Sequence, residues 1–129
     1  MTPPRLLVID DEPILAELGA SAARESGFEP VLTADDSEFR EEFVQNRPDM
    51  VALDLGMPGM DGVKLLPFLA EHDYKSPVLI VSGFDERVLD SASRLGETIG
   101  LSMVGPLSKP VRLEELERLF SEVRSSLVS

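Results

Sequence analysis

Five polar side chains stand at the ends of short apolar runs in this 129-residue sequence, or in a loop that follows one. They are Asp10, Asp11, Asp54, Ser82 and Lys109. A group of carboxylates can hold a divalent cation or supply a nucleophile, and a lysine ammonium can pair with an anion. Each residue alone has an ordinary structural explanation, such as capping a loop or a helix. Whether they form one site depends on the elements that position them.

The apolar runs predict five buried strands. They occupy residues 6–9, 31–32, 50–53, 78–81 and 101–104. Most are continuously apolar and do not alternate with polar residues, which is typical of parallel strands covered on both faces. The carboxyl ends of parallel strands lie at one edge of the sheet. The five polar residues would therefore meet at that edge.

Amphipathic segments between the runs predict five helices, spanning residues 13–27, 35–46, 63–69, 85–99 and 113–123. Pro13 begins the first helix, Gly27 ends it, and its apolar stripe is predicted to be Ile14, Leu15, Leu18 and Ala22. Asp35 or Asp36 caps the second helix, which buries Phe39 and Phe43. The third helix either bends at Pro67 or starts late enough to place Pro67 in its first turn. Strands alternating with helices predict an α/β fold with a parallel sheet.

Composition narrows the function classes. The chain is long enough for one domain with a substantial core, and 43% of its residues are hydrophobic. Its net charge of −12 disfavours binding to nucleic acid or to anionic membranes, and favours a cation or a basic partner. Without cysteine there is no disulfide or thiolate metal site. No apolar stretch reaches the length of a membrane span and no signal peptide is evident, so a cytoplasmic location is predicted.

Electrostatics indicates what the clustered carboxylates require. If the first, third and fourth strands are neighbours, three carboxylates lie within a few ångströms of one another. Two like charges about 4 Å apart repel by roughly 4 kcal/mol at an effective dielectric constant near 20. Lys109 supplies one positive charge, and a divalent cation would supply the rest. Oxygen ligands favour Mg²⁺, and a metal-assisted nucleophilic carboxylate is the chemistry that fits.

Four motifs, taken in order, resemble the receiver domain of bacterial two-component response regulators. They are Asp10-Asp11, the segment 54–62, Ser82-Gly83 and Lys109-Pro110. The resemblance covers roughly residues 5–124 and implies a flavodoxin-like sheet of strand order 2-1-3-4-5. It implies a receiver domain at 1–124, with 125–129 as a C-terminal tail or the start of a linker.

The resemblance implies a phosphorylation switch and no enzyme acting on a separate substrate. Asp54 would accept a phosphoryl group from a histidine kinase. Asp11, Asp54 and the backbone carbonyl of Gly56 would hold Mg²⁺, with Asp10 acting mostly through water. Lys109 would pair with a phosphoryl oxygen, Ser82 would bond another, and the Lys109–Pro110 peptide would be cis.

The resemblance also implies partners, and the sequence departs from the family pattern in two places. A sensor histidine kinase or phosphotransfer protein would act upstream, and an output domain or effector downstream, through a surface of helix four, strand five and helix five. A homodimer that forms on phosphorylation stays an open alternative. Pro106 stands where the family usually has an aromatic residue that moves with Ser82. The interval from Ser82 to Lys109 is longer than usual, which predicts a longer fourth helix or a longer loop around residues 96–102.

Two other functions compete with this interpretation. A receiver-like module could bind partners without being phosphorylated. An aspartyl-nucleophile phosphatase would place its acid two residues after its nucleophile, which here gives Asp10 and Glu12. Pro13 follows this pair directly and fits that pattern poorly.

Overall fold

A computed structural model describes residues 3–10, 12–54, 64–83 and 86–128. Within these residues, strands and helices alternate along the chain. The strands are β1 (Arg5–Ile9), β2 (Glu29–Thr33), β3 (Met50–Asp54), β4 (Pro77–Ser82) and β5 (Ser102–Ser108). The helices are α1 (Pro13–Glu25), α2 (Asp36–Gln45), α3 (Leu65–Glu71), α4 (Glu86–Thr98) and α5 (Leu113–Val128). The predicted element order is confirmed. Among the described residues, none of the helices combines the length and the hydropathy of a membrane span.

The strands form one parallel sheet in the order β2-β1-β3-β4-β5, as the resemblance implied. Ile9 pairs with Leu53, and Asp54 pairs with Val81 on the other side of β3. These registers bring the carboxyl ends of β1, β3 and β4 together at one edge. The sheet therefore positions the polar residues that follow those strands.

Apolar cores cover both faces of the sheet. Successive residues of β1 point to opposite faces, so Leu7 joins one core and Leu6 joins the other. The first core includes Phe39 and Phe43 of α2, both nearly inaccessible to solvent, and the second includes Phe120 of α5. Burial on both faces explains why the strands lack polar alternation.

Helix α1 buries only part of the predicted apolar stripe, of which the Leu15 side chain lies outside the described residues. Ile14 and Leu18 are 79% and 49% exposed. The buried face instead carries Ala16, Ala20 and Ala23, at spacings of four and three residues. These side chains are small, so an interpretation based on large apolar residues does not identify this face. Ala22 is buried as predicted.

Helices α2 and α3 resolve two open alternatives. Asp35 caps α2, because its side chain accepts a hydrogen bond of 2.8 Å from the backbone N–H of Glu38. Helix α3 begins at Leu65, so Pro67 lies in its first turn, where a missing backbone N–H breaks no helical hydrogen bond. Of the two alternatives, a bend at Pro67 or a late start, the late start is therefore confirmed.

Strand β5 and helix α5 extend beyond their predicted ends. Strand β5 continues through Gly105 and Pro106, and between the pairs Leu79↔Val104 and Val81↔Leu107 it contains one extra residue. Gly105 has a φ of +80°, and a Cβ there would lie 2.7 Å from a methyl carbon of Leu79. As the strand lies at the sheet's edge, it tolerates Pro106.

The loop between α4 and β5 contains only residues 99–101. The interval before Lys109 is therefore taken up by α4 and by the irregular strand, and not by a long loop. Helix α5 continues to Val128, so residues 125–128 are helical, while the proposed domain boundary at 124 stays a prediction.

Substituting alanine for Gly19 is expected to stabilise the protein by about 1 kcal/mol, because alanine has a higher propensity than glycine for the interior of a helix. Among the described residues, an added Cβ at Gly19 would meet no atom within 4 Å. Urea unfolding followed by circular dichroism would measure the change. Gly96→Ala in α4 is the matched control, because its Cβ would lie 2.9 Å from Cγ of Met103. An equal gain at both positions would contradict this account.

Candidate functional site

Asp54 lies at the centre of the polar edge of the sheet. It is the last residue of β3 and is only 5% exposed. Lys109 follows β5 and reaches across the edge, where its Nζ donates a hydrogen bond of 2.7 Å to Oδ2 of Asp54. A buried carboxylate is stable only with such a partner, since desolvation otherwise penalises its charge. Sheet topology thus joins residues that lie 55 positions apart.

A second carboxylate also contacts Lys109. Oε1 of Glu12 lies 3.4 Å from the same Nζ, although the Glu12 side chain is 57% exposed. Asp10 completes the group, and carboxylate oxygens of Asp10, Glu12 and Asp54 lie within 4.8 Å of one another. The Asp10 Oδ1 accepts a hydrogen bond of 2.9 Å from the backbone N–H of Glu12, which orients the turn after β1.

The pKa values of two residues reflect this crowding. Partial burial raises the pKa of Asp10 above 3.8, the N–H of Glu12 opposes that rise, and the charge of Asp54 adds to it. Burial by itself would lower the pKa of Lys109. The hydrogen bond to Asp54 and the nearby carboxylates outweigh burial, so the net direction is upward. Lys109 is therefore held in its charged form beside an excess of carboxyl groups.

The donor chemistry suits a hard divalent cation. Three carboxyl groups face one another, and one ammonium group contacts two of them. Mg²⁺ prefers a small number of carboxylate ligands and keeps several of its water molecules, and the exposed Glu12 leaves room for these. The residues present therefore fit Mg²⁺.

Ser82 ends β4 beside this group and is fully buried. It pairs with Ser108 in the sheet, and its carbonyl oxygen accepts a hydrogen bond of 2.8 Å from the backbone N–H of Lys109. The Lys109–Pro110 peptide is cis, as the resemblance implied. The backbone thus connects Ser82 directly to the residue that contacts Asp54.

Comparison with known families decides the assignment. The family model described as the response regulator receiver domain matches residues 6–121. The chain is a response regulator receiver domain. The α/β architecture of this receiver domain is the one that the alternating strands and helices predicted.

Relatives and solved structures agree with this assignment. The transcriptional regulatory protein PrrA of Mycobacterium tuberculosis is 39% identical over 92 residues, covering 68% of this chain and 39% of PrrA. The Francisella response regulator 1452 receiver domain has a TM-score of 0.77 at 25% identity, covering 96% of this chain and 98% of that one. Chemotaxis response regulator CheY4 of Vibrio cholerae shares the fold, with a TM-score of 0.79 at 20% identity, and covers 95% and 99% of the two chains. The chain spans only about two fifths of PrrA, so the output of a whole regulator is a matter for proposal.

The receiver domain brings together Asp10, Asp54 and Lys109, with Ser82 on the adjoining strand. Asp11 and Gly56, the other predicted metal ligands, lie outside the described residues. Glu12 was absent from the predicted ligand set, yet it contacts Lys109. Its position two residues after Asp10, in the same turn, is the sequence signal that could have identified it.

Substituting asparagine for Asp10 is expected to raise the free energy of unfolding at pH 7 by about 0.5–1 kcal/mol in the presence of a chelator. The gain is small because the carboxylate that the substitution removes is partly exposed, so solvent screens its charge. Because its folded pKa lies above 3.8, the folded protein binds more protons than the unfolded chain between the two values. Wild-type stability therefore falls as the pH rises through that window. The gain should shrink as the pH falls toward 3.8. Urea titrations across pH measure it, with the exposed Asp90→Asn as control. A gain that is independent of pH would contradict the argument.

Proposed function

We propose that this receiver domain is a phosphoacceptor whose Asp54 takes a phosphoryl group from a histidine kinase or a phosphotransfer protein. The carrying observation is the buried Asp54 carboxylate at the end of β3, bonded to Lys109 at 2.7 Å. A carboxylate that is held in place beside a cation can act as a nucleophile toward an anionic phosphoryl group.

In the proposed transfer, an Asp54 carboxylate oxygen forms a bond to phosphorus as the bond from phosphorus to the donor histidine nitrogen breaks. The electron pair stays with that nitrogen, and Asp54 becomes an acyl phosphate. Lys109 moves from the carboxylate to a phosphoryl oxygen, a short displacement because its Nζ already contacts Oδ2. Its positive charge offsets the charge gathered around phosphorus in the transition state.

Side chains of Asp10, Asp11 and Asp54, with the backbone carbonyl of Gly56, are the proposed Mg²⁺ ligands. When bound, Mg²⁺ would screen the carboxylate and phosphoryl charges from each other. Glu12 lies close enough to join this set through water, since its oxygen belongs to the same group within 4.8 Å.

The response to phosphorylation is proposed to run through Ser82. Its hydroxyl would bond a phosphoryl oxygen, and its carbonyl is already joined to the backbone of Lys109. Because Pro106 lacks an aromatic side chain, the change would reach the surface of α4, β5 and α5 through the backbone of β4 and β5. That surface would then engage an output domain or effector.

A phosphoryl mimic tests this function. Amide NMR spectra of the protein with Mg²⁺ and trifluoroberyllate are expected to shift at Asp54, Ser82 and Lys109, and along β5. Asp54→Asn is the matched control and should show no such shifts. An unchanged wild-type spectrum would contradict the proposal and favour a module that binds partners without phosphorylation.

A further inference from the structure

A cavity of about 380 Å³ lies between the sheet and helices α1 and α5. Most of its wall is apolar. The strands contribute residues such as Val8, Ala52 and Val81, and α5 contributes Leu116 and Phe120. This volume lies within the range of about 300–1,000 Å³ that is typical of small-molecule pockets.

Several of the residues that line the cavity are small. Helix α1 presents Ala16 and Gly19 to the cavity, and β3 presents Ala52. The surroundings of Gly19 agree with this, because a Cβ built there would meet no atom of the described residues within 4 Å. An apolar hollow of this kind gains stability when an apolar molecule replaces its missing contacts.

One end of the cavity reaches the polar edge of the sheet. Asp10, Asp54 and Lys109 all contribute to its wall there. Glu12 lies beside them, so three carboxyl groups face a single ammonium group at this end. A ligand that fills the apolar part would therefore place its end against an excess of negative charge.

We propose that this cavity binds a small molecule with an apolar body and one cationic group. The body would fill the space around Gly19, Val8 and Phe120. The cationic group would lie against Asp10 and Asp54, whose carboxylates would repel an anionic group at the same position. The polar end of this site is shared with the proposed phosphoacceptor site, so the bound cationic group would compete with Mg²⁺ for Asp10 and Asp54, but binding itself needs no phosphodonor.

The test uses three probes of one shape that differ in charge: 4-phenylbutylamine, 4-phenylbutanol and 4-phenylbutanoate. Each is titrated into the full chain without Mg²⁺, and binding is followed by amide and methyl NMR. The amine is expected to bind about fivefold or more tightly than the alcohol, the ratio for one partly exposed ion pair. The carboxylate is expected to bind more weakly than the alcohol.

Filling the cavity provides the second arm of the test. Gly19→Leu places a side chain in the open space and is expected to weaken amine binding about tenfold or more, as a filled pocket excludes the ligand. Ser21→Leu is the matched control, since it adds the same side chain to the exposed side of α1 and should leave affinity unchanged. Ala16→Leu fills the cavity from one turn away and replaces Gly19→Leu if that variant does not fold.

The outcomes separate cleanly. Binding in the order amine, alcohol, carboxylate, lost in the filled variant and kept in Ser21→Leu, supports the proposal. It is overturned if none of the probes binds at millimolar concentration, if charge makes no difference, or if the filled variant binds as well as wild type. None of these results depends on phosphorylation of Asp54, so failure here leaves the proposed function standing.

Discussion

Substituting alanine for Lys109 is expected to slow phosphoryl transfer to Asp54 by about a hundredfold or more, the usual cost of removing a group that stabilises transition-state charge. Its Nζ lies 2.7 Å from Oδ2 of Asp54, so the ammonium is already placed where negative charge would gather. The rate at which the protein gains a phosphoryl group from acetyl phosphate with Mg²⁺, followed by intact mass, measures the effect.

Lys75→Ala is the matched control for Lys109→Ala. Lys75 also contacts an aspartate, but that pair is exposed and lies at the opposite end of β4 from Ser82. Its loss should leave the transfer rate unchanged. Circular dichroism would establish that both variants keep their helices. If a folded Lys109→Ala protein were phosphorylated at the wild-type rate, Lys109 would have no part in the transfer.

Substituting alanine for Phe43 is expected to destabilise the protein by about 3–5 kcal/mol, the usual cost of truncating a buried aromatic residue. Phe43 is 1% exposed. Its ring centroid lies 5.4 Å from that of Phe68 and 5.2 Å from that of Tyr74, both in edge-to-face contact. The substitution removes these contacts and leaves a cavity between α2 and α3. Urea unfolding monitored by circular dichroism measures the loss.

The next residue provides the control. Val44 is 64% exposed on the same helix, so Val44→Ala should change stability by less than about 0.5 kcal/mol. Similar losses from both variants would mean that α2 contributes through helix formation and not through its buried aromatic face.

The sequence was sufficient to predict the strands and the grouping of Asp10, Asp54 and Lys109, because both depend on strong, local signals. The β3 run from Met50 is apolar at every position until Asp54 ends it, and this pattern fits a buried parallel strand and a carboxylate at its end. The motifs that follow β1, β4 and β5 then need only a common sheet edge to meet. Strand order came from the family resemblance and not from the residues.

The features that escaped prediction depend on contacts between distant parts of the chain. Helix α1 buries alanines and exposes Ile14, so its buried face cannot be identified from the large apolar residues of its sequence. Gly105 and Pro106 resemble a loop, yet pairing with β4 keeps them in an edge strand. Glu12 belongs to the site because the fold places Lys109, which is 97 positions away in the sequence, beside it.

Intact mass after incubation with acetyl phosphate and Mg²⁺ tests the central claim most directly. The account predicts that the wild-type protein gains one phosphoryl group, that Asp54→Asn gains none, and that a chelator prevents the gain. A phosphoryl group on Asp54→Asn, or a wild-type protein that stays unmodified and does not bind trifluoroberyllate, would contradict the assignment of Asp54 as the phosphoacceptor.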